Sequence, residues 1–277
     1  MRSDGKESCS PRDWTLAQYA AECSSAIDAA LTSWAVAKTS PSGDAVYAGY
    51  CTPSRQHLSV MWVHNFDAAE SAGLVEALDA MCTGDALAEH AVRWDSTFDA
   101  ASTLGRLDTT STLVRWQFSA APLAPRELLY AIVAQRGRGG ATVGDRAGSA
   151  ELSTTTYAYA SVSDAWARAA LGAGEWARAA GVPSQRVRSA NLFPSADRVT
   201  RRADGGIRVE HIITTRIGGW VPRFVFNRIF KSALIEASVH ESAAFAAYAV
   251  ELAATLASSG ADGERGEARC PAARTAE

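Results

Sequence analysis

Apolar residues recur at helical spacing near the start of the chain. Leu16, Tyr19, Ala20, Cys23, Ile27 and Leu31 share one face of a helix over Asp13–Leu31. Strand-like runs follow at Trp34–Lys38, Ala45–Cys51 and Leu58–His64, separated by the turn-forming Ser40-Pro41-Ser42-Gly43 and Pro53-Ser54. A second helical face, Ala68, Leu74, Val75, Leu78 and Met81, starts near Asp67, and a short helix over Asp85–His90 leads into Val92–Asp95. Strands are then expected at Ser102–Leu107, Thr112–Phe118, Glu127–Arg136, Leu152–Val162, Arg186–Leu192 and Ile207–Ile217. Between them, Gln135–Ser149 is glycine- and arginine-rich and reads as a loop, and Ala165–Ala180 has helical composition. A last helix runs from about Val221 to Leu256, opened by Gly218-Gly219 and by Pro222 in its first turn.

Strands bracketed by helices indicate an α+β fold with an antiparallel sheet rather than βαβ units. A curved antiparallel sheet wrapped around one amphipathic helix leaves a space that must hold side chains or a ligand. Met1–Arg12 and Ser258–Glu277 lack apolar periodicity, so 1–12 and 258–277 are expected to be disordered around one domain over 13–257.

Composition narrows the function classes. The chain has 277 residues, 47% hydrophobic and 21% charged, with a formal net charge of −3, so no nucleic-acid partner is expected. Met1–Trp14 lacks an apolar leader core, and no stretch approaches the roughly 18 apolar residues of a membrane span. Cys9, Cys23, Cys51, Cys82 and Cys270 form no CxxC pair and no metal-ligand spacing. The expectation is a soluble cytoplasmic monomer with reduced thiols and no metal or cofactor.

Gly219-Trp220-Val221-Pro222-Arg223-Phe224-Val225-Phe226-Asn227 resembles the passage from last strand to C-terminal helix in START (steroidogenic acute regulatory protein-related lipid transfer) domains. Arg93-Trp94-Asp95 is similar to the tryptophan-aspartate after the family's second helix, and Pro125-Arg126-Glu127 before Leu128–Val133 to its Arg-Asp motif. The resemblance covers roughly Trp14–Leu256. It implies a helix-grip fold of the Bet v 1-like superfamily, with a curved sheet around a long C-terminal helix and an internal apolar cavity. It also implies a lipid or sterol ligand, no catalysis, and a lid that opens at a membrane. Two departures stand out. The acid and arginine that orient ligand in some members have no counterpart, since Thr112–Phe118 has no acid and Ile132 stands where the arginine would be. The Ala165–Ala180 insertion is longer than usual and is expected to modify the tunnel mouth.

Alternation assigns the strand faces. Arg208, Glu210, Ile212, Thr214 and Arg216 carry the charges and are expected in water. Val209, His211, Ile213, Thr215 and Ile217 then face inward. Arg115 and Gln117 share a face, so Val114, Trp116 and Phe118 point in. Both faces of the strand from Glu127 are apolar; the set Leu128, Tyr130, Ile132 is taken as inward from the family position of Ile132. On the last helix Phe226, Phe230, Leu234 (or Ala233) and Ala237 form the stripe, with small residues leaving mid-tunnel room. Burying ~300 Å² of apolar ligand would contribute roughly 7 kcal/mol before binding costs. His211, Tyr130 and Tyr157 are the polar candidates inside; the histidine either meets a ligand or is satisfied by a neighbouring strand.

No GxSxG, HExxH, Walker A or GxGxxG motif occurs. His240 and Glu241 adjoin on a helix and so point to different faces, which fits a solvated surface. A polyketide cyclase or aromatase-like enzyme using the same cavity, through His211, Tyr130, Tyr157 or Tyr159, remains an alternative. So does an interaction domain with a vestigial cavity. Finally, Arg216, Arg223, Arg228 and Lys231 cluster with Trp220, a combination suited to transient docking on anionic membrane.

Overall fold

Thr15 opens the first helix, α1 (Leu16–Ser33), through a capping box. Its hydroxyl accepts from the Gln18 N–H at 3.2 Å, and the Gln18 side chain accepts from the Thr15 N–H at 2.8 Å. The computed structural model describes residues 15–50, 57–83, 87–119, 124–137, 151–180, 186–216 and 231–266. The chain's two ends, the glycine-rich 138–150 and the Gly219–Asn227 signature lie outside the described residues.

Among the described residues ten strands form one sheet: β1 (Val36–Thr39), β2 (Ala45–Gly49), β3 (Ser59–Phe66), β4 (Phe98–Arg106), β5 (Ser111–Phe118), β6 (Arg126–Gly137), β7 (Glu151–Ser161), β8 (Val187–Arg188), β9 (Ala190–Arg202) and β10 (Ile207–Arg216). Their order is β1-β2-β3-β10-β9-β7-β6-β5-β4, antiparallel throughout that path, with β8 parallel to β6. The further α-helices among the described residues are α2 (Leu74–Cys82), α3 (Leu87–Trp94), α4 (Asp164–Leu171), α5 (Ala173–Ala180) and α6 (Lys231–Gly266). The last runs on past the expected end at Leu256.

The inner face buries Val46, Val60, Trp62, Val199 and Val209 against Leu74, Leu78 and Met81 of α2 and Val239, Phe245 and Ala249 of α6. Beside it, Val114, Trp116, Leu128, Tyr130 and Ile132 meet Leu87 and Ala91 of α3. These assignments agree with the alternation of β5 and of the Leu128–Ile132 set.

The outer face departs from expectation. It is not bathed in water, because α1 lies on it, packing Tyr19, Cys23 and Ile27 against Met61, Val133, Ala158 and Ile212. Glu210 is therefore buried. It pairs with Arg198 at 2.9 Å and Arg208 at 2.7 Å, and Arg198 also reaches Asp28 of α1 at 2.7 Å. Charge alternation marked the face correctly as polar, but a second helix rather than solvent satisfies it.

The insertion is also displaced from its expected place at the tunnel mouth. Ser163 caps α4, accepting from the Trp166 N–H at 3.1 Å, and Gly172, at φ 85°, turns the chain into α5. Ala167 and Trp176 pack on Leu104, Leu113 and Leu129, which point outward. The hairpin covers the outer face of β4–β6, across the sheet from the cavity.

Candidate functional site

One row of the sheet places the site. Trp62 on β3 pairs with His211 on β10, His211 with Asp197 on β9, and Asp197 with Tyr157 on β7. Directly paired residues present side chains on the same face. The His211 ring stacks on Trp62, with centroids 5.1 Å apart and 17° between planes. Its Nδ1 lies 2.5 Å from Asp197 Oδ1. The Tyr159 hydroxyl donates to the other Asp197 oxygen, which Cys82 of α2 approaches at 3.6 Å. Tyr157 turns its hydroxyl to Asp79 of α2 at 2.8 Å.

Helix α6 completes the cluster. Glu241 Oε1 lies 3.8 Å from His211 Nε2, and Phe245, one turn on, packs against Trp62 and Trp94. His211 Nε2 is buried and makes no hydrogen bond among the described residues. Asp95, just after α3, accepts from the backbone and hydroxyl of Thr97 at 2.8 and 2.7 Å.

These groups border a cavity of about 100 Å³ between the sheet and α2, α3 and α6. Its apolar wall includes Met81, Leu87, Trp94, Trp116, Leu128, Ile213 and Phe245. Its polar side holds Asp95, Asp197, His211 and Glu241, with Tyr130, Tyr159 and Asn191.

Burial reshapes the ionisation of the cluster. Burial alone would lower His211, but the charge and hydrogen bond of Asp197 outweigh it and lift the imidazole to about 9. Burial raises Glu241 to about 7 against the opposing pull of His211, with Asp95 and Asp197 adding repulsion. Burial likewise raises Asp95 and the phenols of Tyr130 and Tyr159. At neutral pH the imidazole is thus cationic, and both its ring nitrogens are donors. No group of His, Cys, Asp or Glu among the described residues is placed to hold a metal ion.

The residues expected to face the cavity divide as follows. Trp116, Tyr130, His211 and Ile213 line it. Val114, Ile132 and Phe118 stand on the same face, packed behind it around Leu87. Tyr157 belongs to the inner core. Leu234 packs against that core, whereas Ala237 is exposed and Ala233 with it. The inner stripe of α6 is instead Ser238, Ser242, Phe245, Ala249 and Ala253. Serine serves there because its hydroxyl bonds the preceding turn, as Ser242 does to the Val239 carbonyl at 3.1 Å. That phase brings Glu241 to the cavity, correcting its assignment to a solvated surface; His240 is exposed as expected. Phe226, Phe230, Ile217, Trp220, Arg223 and Arg228 lie outside the described residues. Arg216 and Lys231 are exposed on either side of that gap.

Asp197 escaped sequence reasoning because Phe193-Pro194 reads as a strand end. The structure carries β9 through it: Leu192 to Ala196 of β9 faces only Thr214 to Ile212 of β10, an irregularity that accommodates a proline without a ladder hydrogen bond. The signal that could have found Asp197 is the alternation resuming at Val199.

No protein-family model matches the sequence, and no curated protein matches it. Solved structures do. Human STARD10 shares 14% identity at a TM-score of 0.54, covering 88% of this chain and 84% of that one. Human StAR-related lipid transfer protein 5 shares 14% identity at a TM-score of 0.51, covering 84% of this chain and 99% of that one. The chain therefore has a START-like fold, as the sequence resemblance implied. No helix among the described residues is long and apolar enough to cross a membrane.

Proposed function

We propose that this START-like chain binds one lipid or sterol-like molecule between the sheet and α6, the described cavity holding its polar end and the adjoining apolar part, without chemical conversion, and can carry it between membranes. The observation that carries the reading is the cavity's composition. Aromatic and aliphatic side chains wall a space that His211, Asp197, Asp95 and Glu241 also border. Ligand sites of this kind combine apolar walls with a few orienting polar groups. The name of the human lipid transfer protein with the same fold agrees with it. The exposed Arg216 and Lys231, bracketing 217–230 with its Trp220, Arg223 and Arg228, support transient docking on anionic membrane.

Native mass spectrometry of the full chain, followed by organic extraction, tests the proposal. A stoichiometric adduct that extracts as an intact lipid supports it; a protein that takes up no lipid from mixed vesicles contradicts it.

A second reading draws on one observation, the Asp197–His211 pair opening its free nitrogen onto the cavity. Such a pair suits acid–base chemistry in a polyketide cyclase-like enzyme. Conversion of an added polyketide, lost in His211→Gln, would favour that reading over a carrier.

A further inference from the structure

Resting on the cavity-binding proposal, we infer that the ligand's polar group is a neutral hydroxyl, held between His211 and Glu241. His211 Nε2 is buried, borders the cavity and makes no hydrogen bond among the described residues. Leaving such an atom without a partner is costly, so a bound group that supplies an acceptor is favoured. The other ring nitrogen is committed to Asp197 at 2.5 Å, which fixes the ring and directs Nε2 toward α6.

Glu241 Oε1 stands opposite at 3.8 Å, too far for a direct hydrogen bond and near enough for one oxygen to touch both. A hydroxyl is the group that completes the bridge. Its oxygen accepts from the imidazole N–H, and its proton goes to the carboxylate. The alternatives each fail on one side. A carboxylate or phosphate would accept from His211 but would meet Glu241, Asp197 and Asp95, three acids against one imidazole. An ammonium would suit Glu241 but presents only donors to the donor on His211. An ether or ester oxygen satisfies His211 and leaves Glu241 unpaired. Around the bridge, Trp94, Leu128, Ile213 and Phe245 take the apolar body. At slightly alkaline pH His211, raised to about 9, remains a donor and Glu241, raised to about 7, is an ionised acceptor, which suits the bridge.

The test is a calorimetric series with the full chain at slightly alkaline pH, using decanol, decyl methyl ether, decanoic acid and decylamine as probes. The alcohol is expected to bind on the order of tenfold more tightly than the other three. Glu241→Met, which replaces a cavity-lining carboxylate by an apolar chain of similar length, is expected to bring alcohol and ether level. Acid or amine binding as tightly as alcohol in the unaltered protein would overturn the inference, with no variant needed. So would an alcohol preference that survives Glu241→Met. Equal binding of all four overturns the hydroxyl assignment while leaving the cavity reading intact, and binding of none removes both.

Discussion

Glu241 on the closing helix faces His211 on the sheet across 3.8 Å, and nothing among the described residues bridges them. Beside this pair the helix and sheet meet through hydrocarbon where Phe245 packs on Trp62, and at the surface Lys38 of β1 pairs with Glu236 of α6. Here they present an acid and an imidazole to a shared space. The fold is a container with one polar fixture, and the fixture joins its two halves.

That fixture depends on Asp197, which accepts from His211 and Tyr159 and is approached by Cys82. Replacing it by asparagine leaves a buried imidazole without its counter-charge. Asp197→Asn is expected to destabilise the protein by about 3 kcal/mol, lowering the melting temperature by roughly 6–12 °C. Calorimetric unfolding checks this.

Stability should also depend on pH in a defined direction. Glu241 is raised from 4.5 to about 7 in the folded chain, and His211 from 6.5 to about 9. Both groups bind protons more tightly when folded, so their contributions favour folding at low pH. Glu241's is lost as pH rises from 4.5 through 7, and His211's from 6.5 through 9. Denaturant titrations should show stability declining across this window, by an amount on the order of a few kcal/mol. Glu241→Gln is expected to flatten the lower half of the decline and to move the upper half to lower pH, because the Glu241 charge helps hold His211 up.

The phase of α6 makes a paired prediction. Ala249 is fully buried against the inner core, whereas Ala237 is exposed. Ala249→Leu is expected to cost about 1–3 kcal/mol by overpacking, and Ala237→Leu to change stability by less than about 0.5 kcal/mol. Urea unfolding of the two variants distinguishes this phase from one in which Ala237 faces inward.

Trp176 separates the insertion from the site. It is buried on the outer face against Leu104, Leu113 and Leu129. Trp176→Ala is expected to cost about 3 kcal/mol by leaving a void while ligand affinity stays unchanged. A variant that folds normally and loses ligand would place the hairpin at the cavity mouth instead.

Much of the fold was legible in the sequence. The period-two alternation of β5 and β10 identified the inner faces that carry Trp116, His211 and Ile213. What stayed hidden did so for local reasons. Pro194 masked the second half of β9 and with it Asp197, because a proline in a central strand ordinarily ends it. Ser238 and Ser242 disguised the inner stripe of α6, so the reading followed alanines and phenylalanines and turned Glu241 outward. The charges of β10 suggested water where α1 lies, since alternation reports polarity and not what satisfies it; Arg198 and Glu210 satisfy each other. The expected absence of a family-style anchor came from searching the family's positions, whereas the buried polar groups here sit on β9, β10 and α6.

Tryptophan quenching reports whether a ligand enters between the sheet and α6. Trp94 and Trp116 line the cavity, out of eight tryptophans in the chain, so a ligand inside should reach only part of the emission. Titrating the full chain with a long-chain alcohol brominated near the end of its alkyl chain should give partial, saturable quenching at one ligand per protein. Trp94→Phe and Trp116→Phe should each reduce the quenchable fraction. Quenching that never saturates, or that both variants leave unchanged, would contradict a ligand seated between the sheet and α6.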